Sequence, residues 1–305
     1  MGLDVFEASP AAARVFREAD EALGMSLSTL CFEGPEEELR RTEIQQPAIL
    51  TTSIALLRGL EEKLGSIQPA YVGGHSLGEY SALVASGALE FADAVQTVHL
   101  RGRVMQEAVA DGEGAMAAVI GVSADVVLAA CEQAQDQTGL VVSPANYNSP
   151  VQIVVAGAAA AVEVACENAR KLGAKKTIPL AVSAPFHCAL MEPAAEKLAD
   201  KLAGLQIQDP KPPVVTNVEA EPNSAGARIP ELLRQQVTAP VRFADMIARM
   251  KELGVNGFLE VGPGRVLSGL IARIERRARR ANFSSLKDLD SVRELLESEN
   301  QEGAN

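Results

Sequence analysis

Apolar residues recur along this chain at helical and at alternating spacing, and the switches between the two set its predicted elements. Ser9-Pro10 followed by AAARVFREADEAL and Gly24 reads as a capped helix with proline at its first position. Ile49, Ile54, Leu57, Leu60 and Leu64 predict a helix over 47–65. A short apolar strand at 70–73 follows, then helices over 77–87 and 91–109. Beyond Gly112-Glu113-Gly114 the texture changes. Strand 115–122, helix 124–134, strands 140–145 and 151–156, helix 160–173 and strand 176–182 make the β-α-β-β-α-β order of a ferredoxin-like unit. Helix 192–205, strand 213–218, helices 229–237 and 243–253, strand 257–261 and a last helix 264–280 then resume the first pattern. The predicted fold class is α/β. It comprises a hydrolase-like parallel sheet domain of residues 1–112 and 183–282, covered on both faces, with a ferredoxin-like subdomain of residues 113–182 inserted. A polar, acidic tail at 283–305 is expected to fray.

Composition narrows the function classes. The 305 residues are 47% hydrophobic and 22% charged, as in soluble globular proteins. No apolar run reaches the roughly 20 residues a membrane helix needs. No basic-then-apolar leader is seen, so the cytoplasm is the expected location. A net charge of −12 argues against a nucleic-acid partner. Four cysteines stand singly at 31, 131, 166 and 188, which fits reduced, buried thiols. With three histidines in the chain, no histidine-based zinc site is expected, and nothing suggests a metal or organic cofactor. A monomer is expected, since no long apolar strip is left unassigned.

The chemistry-bearing stretch is Gly74-His75-Ser76-Leu77-Gly78-Glu79, directly after the apolar 70–72 run. A G-x-S-x-G turn between strand and helix lifts a serine hydroxyl onto a helix N-terminus, and glycines at 74 and 78 leave room for the crossing. A serine needs a base to take its proton. His75 is adjacent in a tight turn, where side chains diverge, and His99 lies on a helix as a surface or packing residue. His187, in Ala184-Pro185-Phe186-His187-Cys188, follows a predicted strand end, where α/β sheets place their chemistry. An ordinary α/β-hydrolase carries its histidine near the C-terminus after an acid. Here none of the 118 residues after His187 is histidine, so an amide or a backbone carbonyl is left to orient it, giving a dyad.

At these residues the chain resembles malonyl-CoA:acyl carrier protein transacylases, the malonyl-loading enzymes of fatty acid synthesis. The resemblance rests on GHSLGEYSAL at 74–83, Leu100-Arg101-Gly102, APFHCALM at 184–191 and the Val261-Gly262-Pro263-Gly264 loop. It implies Ser76 as nucleophile, His187 as base and then acid, Arg101 as clamp for the malonyl carboxylate, and Gln236 as the group steadying His187. It further implies a ping-pong transfer from malonyl-CoA to the phosphopantetheine thiol of acyl carrier protein, with the Leu77 N–H and a second donor holding the oxyanion. Phe186 and Leu77 agree with malonyl rather than methylmalonyl use. A planar guanidinium suits a carboxylate independently of any resemblance, because it can bind one in bidentate fashion.

Members of that family begin with an apolar strand ending in a Gly-Gln-Gly-Ser-Gln loop, whose last residue supplies the second N–H. This chain opens at Met1-Gly2-Leu3-Asp4. The expectation is therefore that a functional protein begins upstream, and that the chain as written is weakly active and poorly stable. Two other readings stay open: a serine thioesterase or esterase with water as acceptor, and an inactive remnant that binds carrier protein. An acidic carrier protein would need a local basic patch. Arg265, Arg273, Arg276, Arg277, Arg279 and Arg280 on the last helix offer one, and Lys171, Lys175 and Lys176 another. Cations that merely favour a helix C-terminus are the plainer account of the arginines.

Overall fold

A computed structural model describes residues 1–182 and 184–302, with the side chains of residues 298–302 left aside. Its strands are β1 (Val72–Gly73), β2 (Gly114–Ile120), β3 (Val142–Ser149), β4 (Gln152–Ala158), β5 (Lys176–Pro179), β6 (Val214–Val215), β7 (Pro222–Asn223), β8 (Gly257–Val261) and β9 (Arg279–Phe283). In the larger part of the molecule β1 pairs in parallel with β6, and β8 with β9, while β7 closes against β6 in antiparallel fashion. Helices pack around these strands, giving the α/β architecture expected. No helix among the described residues is long and apolar enough to cross a membrane.

The inserted unit has its own sheet, in the order β3-β4-β2-β5, with every pairing antiparallel. Helices Ala124–Thr138 and Ala159–Lys171 cover it, and Val127, Cys131, Val155, Val162 and Ala165 fill the space between helices and sheet. That is the ferredoxin-like arrangement. The unit is tied back to the larger part at β3, where Tyr147 N–H donates to the Val241 carbonyl and Val241 N–H to the Ala145 carbonyl.

The long Thr42–Leu64 helix is the spine of the main core, burying Ile44, Leu50, Ile54, Leu56 and Leu60. It starts earlier than the predicted position 47, so Pro47 lies inside the helix rather than opening it. A proline there has no N–H for the Glu43 carbonyl four residues back. His99 replaces that donor, its Nδ1 lying 2.9 Å from the Glu43 oxygen. The first turn survives the proline, and Gln46 keeps a helical position facing inward.

Two expectations for the C-terminal part are overturned. The predicted helix 264–280 is instead helix Val266–Ile274 followed by β9. The switch in period is visible at Ala281 and Phe283, both buried and two residues apart on a strand beside β8. Nor does the segment from 283 fray over its described residues. Ser285 and Asp288 form a capping box, helix Leu289–Glu302 follows, and Val292 and Leu295 are buried in the main core. Leu286 N–H also donates to the Asp4 carboxylate at 2.8 Å, joining the two ends of the chain. Residues 303–305 of that segment, and Ser183 where the larger domain was expected to resume, lie outside the described residues.

Candidate active site

Ser76 stands between β1 and helix Leu77–Ala85 with φ 50° and ψ −106°. A non-glycine residue at positive φ is strained and persists only where its surroundings hold it. The crossing that creates this turn is close: a Cβ at Gly74 would lie 2.2 Å from the Gly78 backbone. A Cβ at Gly78 would meet nothing within 4 Å, so the steric demand falls on Gly74 rather than on both glycines.

The turn brings together residues distant in sequence. Ser76 Oγ lies 2.8 Å from His187 Nε2, and His187 Nδ1 lies 2.8 Å from the Gln236 carbonyl oxygen. A carbonyl accepts only, so Nδ1 carries the proton and Nε2 turns its lone pair toward the serine. His187 is 4% exposed, and burial, with the nearby Arg101 charge adding to it, pushes its pKa down to about 3. The imidazole is thus neutral and able to accept a proton at physiological pH. Gln236 meets His187 through its backbone, and its side chain serves elsewhere.

Arg101 is 2% exposed on helix Phe91–Glu107, yet it directs both terminal nitrogens at partners in the site. Nη1 donates to Gln46 Oε1 at 2.7 Å. Nη2 donates to Gln236 Oε1 and to Ser76 Oγ, both at 3.0 Å. The guanidinium carbon also sits 5.6 Å from the Tyr80 ring centroid, within cation–π range. Gly102 makes this reach possible, because a Cβ there would come within 2.5 Å of the Thr42 carbonyl oxygen on the neighbouring helix. Gly102→Ala is expected to push the two helices apart, at a cost of about 1–3 kcal/mol. A lowered unfolding temperature checks this.

Arg101, Ser76, Leu77, Gln46 and Phe186 are among the residues lining a cavity of about 150 Å³. The Leu77 N–H, at the head of its helix, has no protein acceptor among the described residues and opens beside the serine. The serine, the head of its helix and the arginine thus share one cavity wall, and the neutral imidazole stands 2.8 Å behind the hydroxyl.

Other polar groups near the serine were not singled out from the sequence. Glu79, 2% exposed, accepts from the Asn217 N–H at 3.0 Å and from Gln236 Nε2 at 2.7 Å. Burial raises its pKa to about 7 against the opposing pull of those hydrogen bonds and of Arg101. Asn217, fully buried, accepts the Ser76 N–H at 2.6 Å and donates to the Gly74 carbonyl at 2.7 Å. His75 points away from the serine's hydrogen bonds, with Nε2 2.8 Å from Asn148 Oδ1 of β3. His99 is engaged with Glu43 as described. Glu79 carries one weak sequence signal, a carboxylate among apolar neighbours in the helix after the serine; Asn217, two residues beyond β6, carries none.

The acyl transferase domain family matches residues 1–286. The malonyl CoA-acyl carrier protein transacylase of Bacillus subtilis is 48% identical over 300 residues, covering 98% of this chain and 94% of that protein. A crystal structure of the malonyl CoA-acyl carrier protein transacylase of Clostridium perfringens superposes with a TM-score of 0.94 at 41% identity, covering 100% of this chain and 95% of the other. A type II PKS acyl-carrier protein in complex with its malonyl-transacylase gives a TM-score of 0.92 at 44% identity, covering 95% and 93%.

Proposed function

This chain belongs to the malonyl CoA-acyl carrier protein transacylases of the acyl transferase family, and on that premise we propose that it moves malonyl groups from malonyl-CoA to the phosphopantetheine thiol of an acyl carrier protein, in fatty acid biosynthesis, by two half-reactions at Ser76. In the first, Ser76 Oγ attacks the thioester carbonyl carbon while His187 Nε2 takes the hydroxyl proton. The Leu77 N–H meets the developing oxyanion. The carbon–sulfur bond then breaks, His187 returns the proton to the departing thiolate of CoA, and a malonyl-serine ester remains. In the second, the carrier thiol gives its proton to His187 and attacks the ester carbonyl, and His187 protonates Ser76 as it leaves. The Gln236 carbonyl holds the imidazole tautomer through both halves.

The observation that carries this reading is the placement of Arg101. A buried guanidinium 3.0 Å from the nucleophile is costly to desolvate, and an esterase for neutral substrates has no use for it there. A malonyl carboxylate in the 150 Å³ cavity would repay that cost. The test is intact-mass analysis after brief exposure to malonyl-CoA, followed by addition of carrier protein bearing its phosphopantetheine arm. A malonyl adduct that moves to the carrier thiol faster than to water is the expected result. Hydrolysis at the same rate without an acceptor thiol would instead make the chain a thioesterase.

For the carrier protein, the exposed arginines flanking helix Val266–Ile274, one at its start and three at its end, remain the proposed docking patch. Arg265, Arg273, Arg276 and Arg277 are solvent-exposed there. Arg280 is less free, donating to the Glu275 and Ala278 carbonyls. Charge reversal at Arg276 and Arg277 is expected to raise KM for the carrier protein and leave KM for malonyl-CoA unchanged. Equal effects on both would reject the docking role. The cytoplasm is the proposed setting, supported by four free and buried thiols.

A further inference from the structure

We propose that Glu79 is a positioning residue that ties the nucleophile to the carboxylate clamp, an inference that rests on the transacylase reading above. Glu79 makes no hydrogen bond to the Ser76 side chain or to Arg101. One oxygen, Oε2, accepts two hydrogen bonds, from the Asn217 backbone N–H and from Gln236 Nε2. The two donors are the residues that grip the strained serine. Asn217 Oδ1 accepts the Ser76 N–H, and Gln236 Nε2 also reaches the Ser76 carbonyl at 3.1 Å. Both peptide groups flanking the Ser76 Cα are therefore anchored by side chains whose own places depend on Glu79.

The second consequence concerns Arg101. The Gln236 amide has one accepting and one donating end, and ionised Glu79 together with the Ser76 carbonyl presents acceptors only. The donating end is therefore committed to them, which leaves Oε1 to face Arg101 Nη2, the same nitrogen that donates to Ser76 Oγ. With glutamine at position 79 only the Ser76 carbonyl still imposes that constraint. The new amide can donate to Gln236 Oε1, so the Gln236 amide can reverse and set its NH₂ against the guanidinium. Two donors facing one another would turn Arg101 away from the serine, while His187, held by the Gln236 backbone, would stay in place.

The discriminating experiment compares kcat/KM of serine acylation for malonyl-CoA, which needs the clamp, with that for acetyl-CoA, which does not. For Glu79→Gln the expected outcome is a loss of about tenfold or more with malonyl-CoA and a change within about twofold with acetyl-CoA. Glu79→Asp, which keeps an acceptor-only carboxylate on a shorter arm, carries the test if Glu79→Gln does not fold: its expected loss is again confined to malonyl-CoA, and smaller. Equal losses on both substrates would mean that Glu79 acts on the nucleophile or the fold without reaching the clamp and would overturn the proposal, as would no loss on either. The unaltered chain is the separate arm for the function itself: without malonylation there, the transacylase reading falls and this inference with it.

Discussion

Ser76→Ala is expected to abolish the covalent malonyl adduct, and His187→Ala to slow its formation by about 10²–10⁴-fold with the fold intact. The two effects have different origins. Alanine at 76 removes the oxygen proposed to carry the acyl group between the two half-reactions. Alanine at 187 leaves the hydroxyl, still touched by Arg101 at 3.0 Å, but removes the imidazole 2.8 Å away that is proposed to take its proton. Because His187 is oriented by a backbone carbonyl, no side-chain substitution removes its orienting group while leaving the imidazole in place. Time-resolved intact-mass measurements on both variants distinguish the roles: no adduct for the serine variant, a slow one for the histidine variant. An adduct of unchanged rate in either would remove that residue from the chemistry.

The same site fixes a pH dependence. An ordinary imidazole titrates near 6.5, and acylation depending on such a base would fall as pH drops through that value. With its folded-state pKa at about 3, His187 stays neutral well below 6.5. Acylation by acetyl-CoA is therefore expected to stay level from about pH 8 to about pH 5. An inflection near 7 seen with malonyl-CoA but not with acetyl-CoA would then belong to Glu79, whose pKa lies at about 7, and Glu79→Gln should erase it. A fall near 6.5 with both substrates would contradict the placement of His187.

How far the sequence alone discloses this site depends on how local each signal is. The serine turn is legible because its requirement is steric and compressed into a few residues, the glycine at 74 being decisive. His187 follows by elimination among three histidines and by its place after a strand end. Gln236 has a second glutamine, Gln235, directly before it, and helix Ile229–Thr238 separates the two. Ile229, Leu232, Leu233, Gln236 and Val237 form one buried stripe, with Gln235 outside it. Glu79, Asn217 and Gln46 escaped because their roles exist only across elements that sequence spacing does not relate. The fold shows the same division. The ferredoxin-like unit is written in local periodicity, whereas β9 was hidden by arginines, and the terminal helix by an acidic surface covering two buried side chains, Val292 and Leu295.

Arg101→Ala should convert a malonyl-selective enzyme into one that no longer distinguishes malonyl from acetyl donors. Removing one partner of a buried, hydrogen-bonded charge pair costs about 2–5 kcal/mol, or roughly 30- to 5,000-fold in kcat/KM for malonyl-CoA. Acetyl-CoA has no carboxylate to lose, so its acylation rate should be nearly unchanged. Release of Ser76 Oγ from the Nη2 hydrogen bond leaves that hydroxyl to His187 alone. Arg101→Lys separates charge from geometry. A single ammonium cannot span Gln46 on one side and Gln236 with Ser76 on the other, so partial recovery of malonyl use is expected, short of the arginine enzyme. Thermal unfolding is the necessary companion measurement, because truncation at 101 also leaves the Gln46 and Gln236 amide oxygens buried without their donors. Loss of activity toward both acyl donors in step with lost stability would make Arg101 a core residue. A collapse confined to malonyl-CoA, with acetyl transfer preserved, follows only if the guanidinium is there to read the carboxylate.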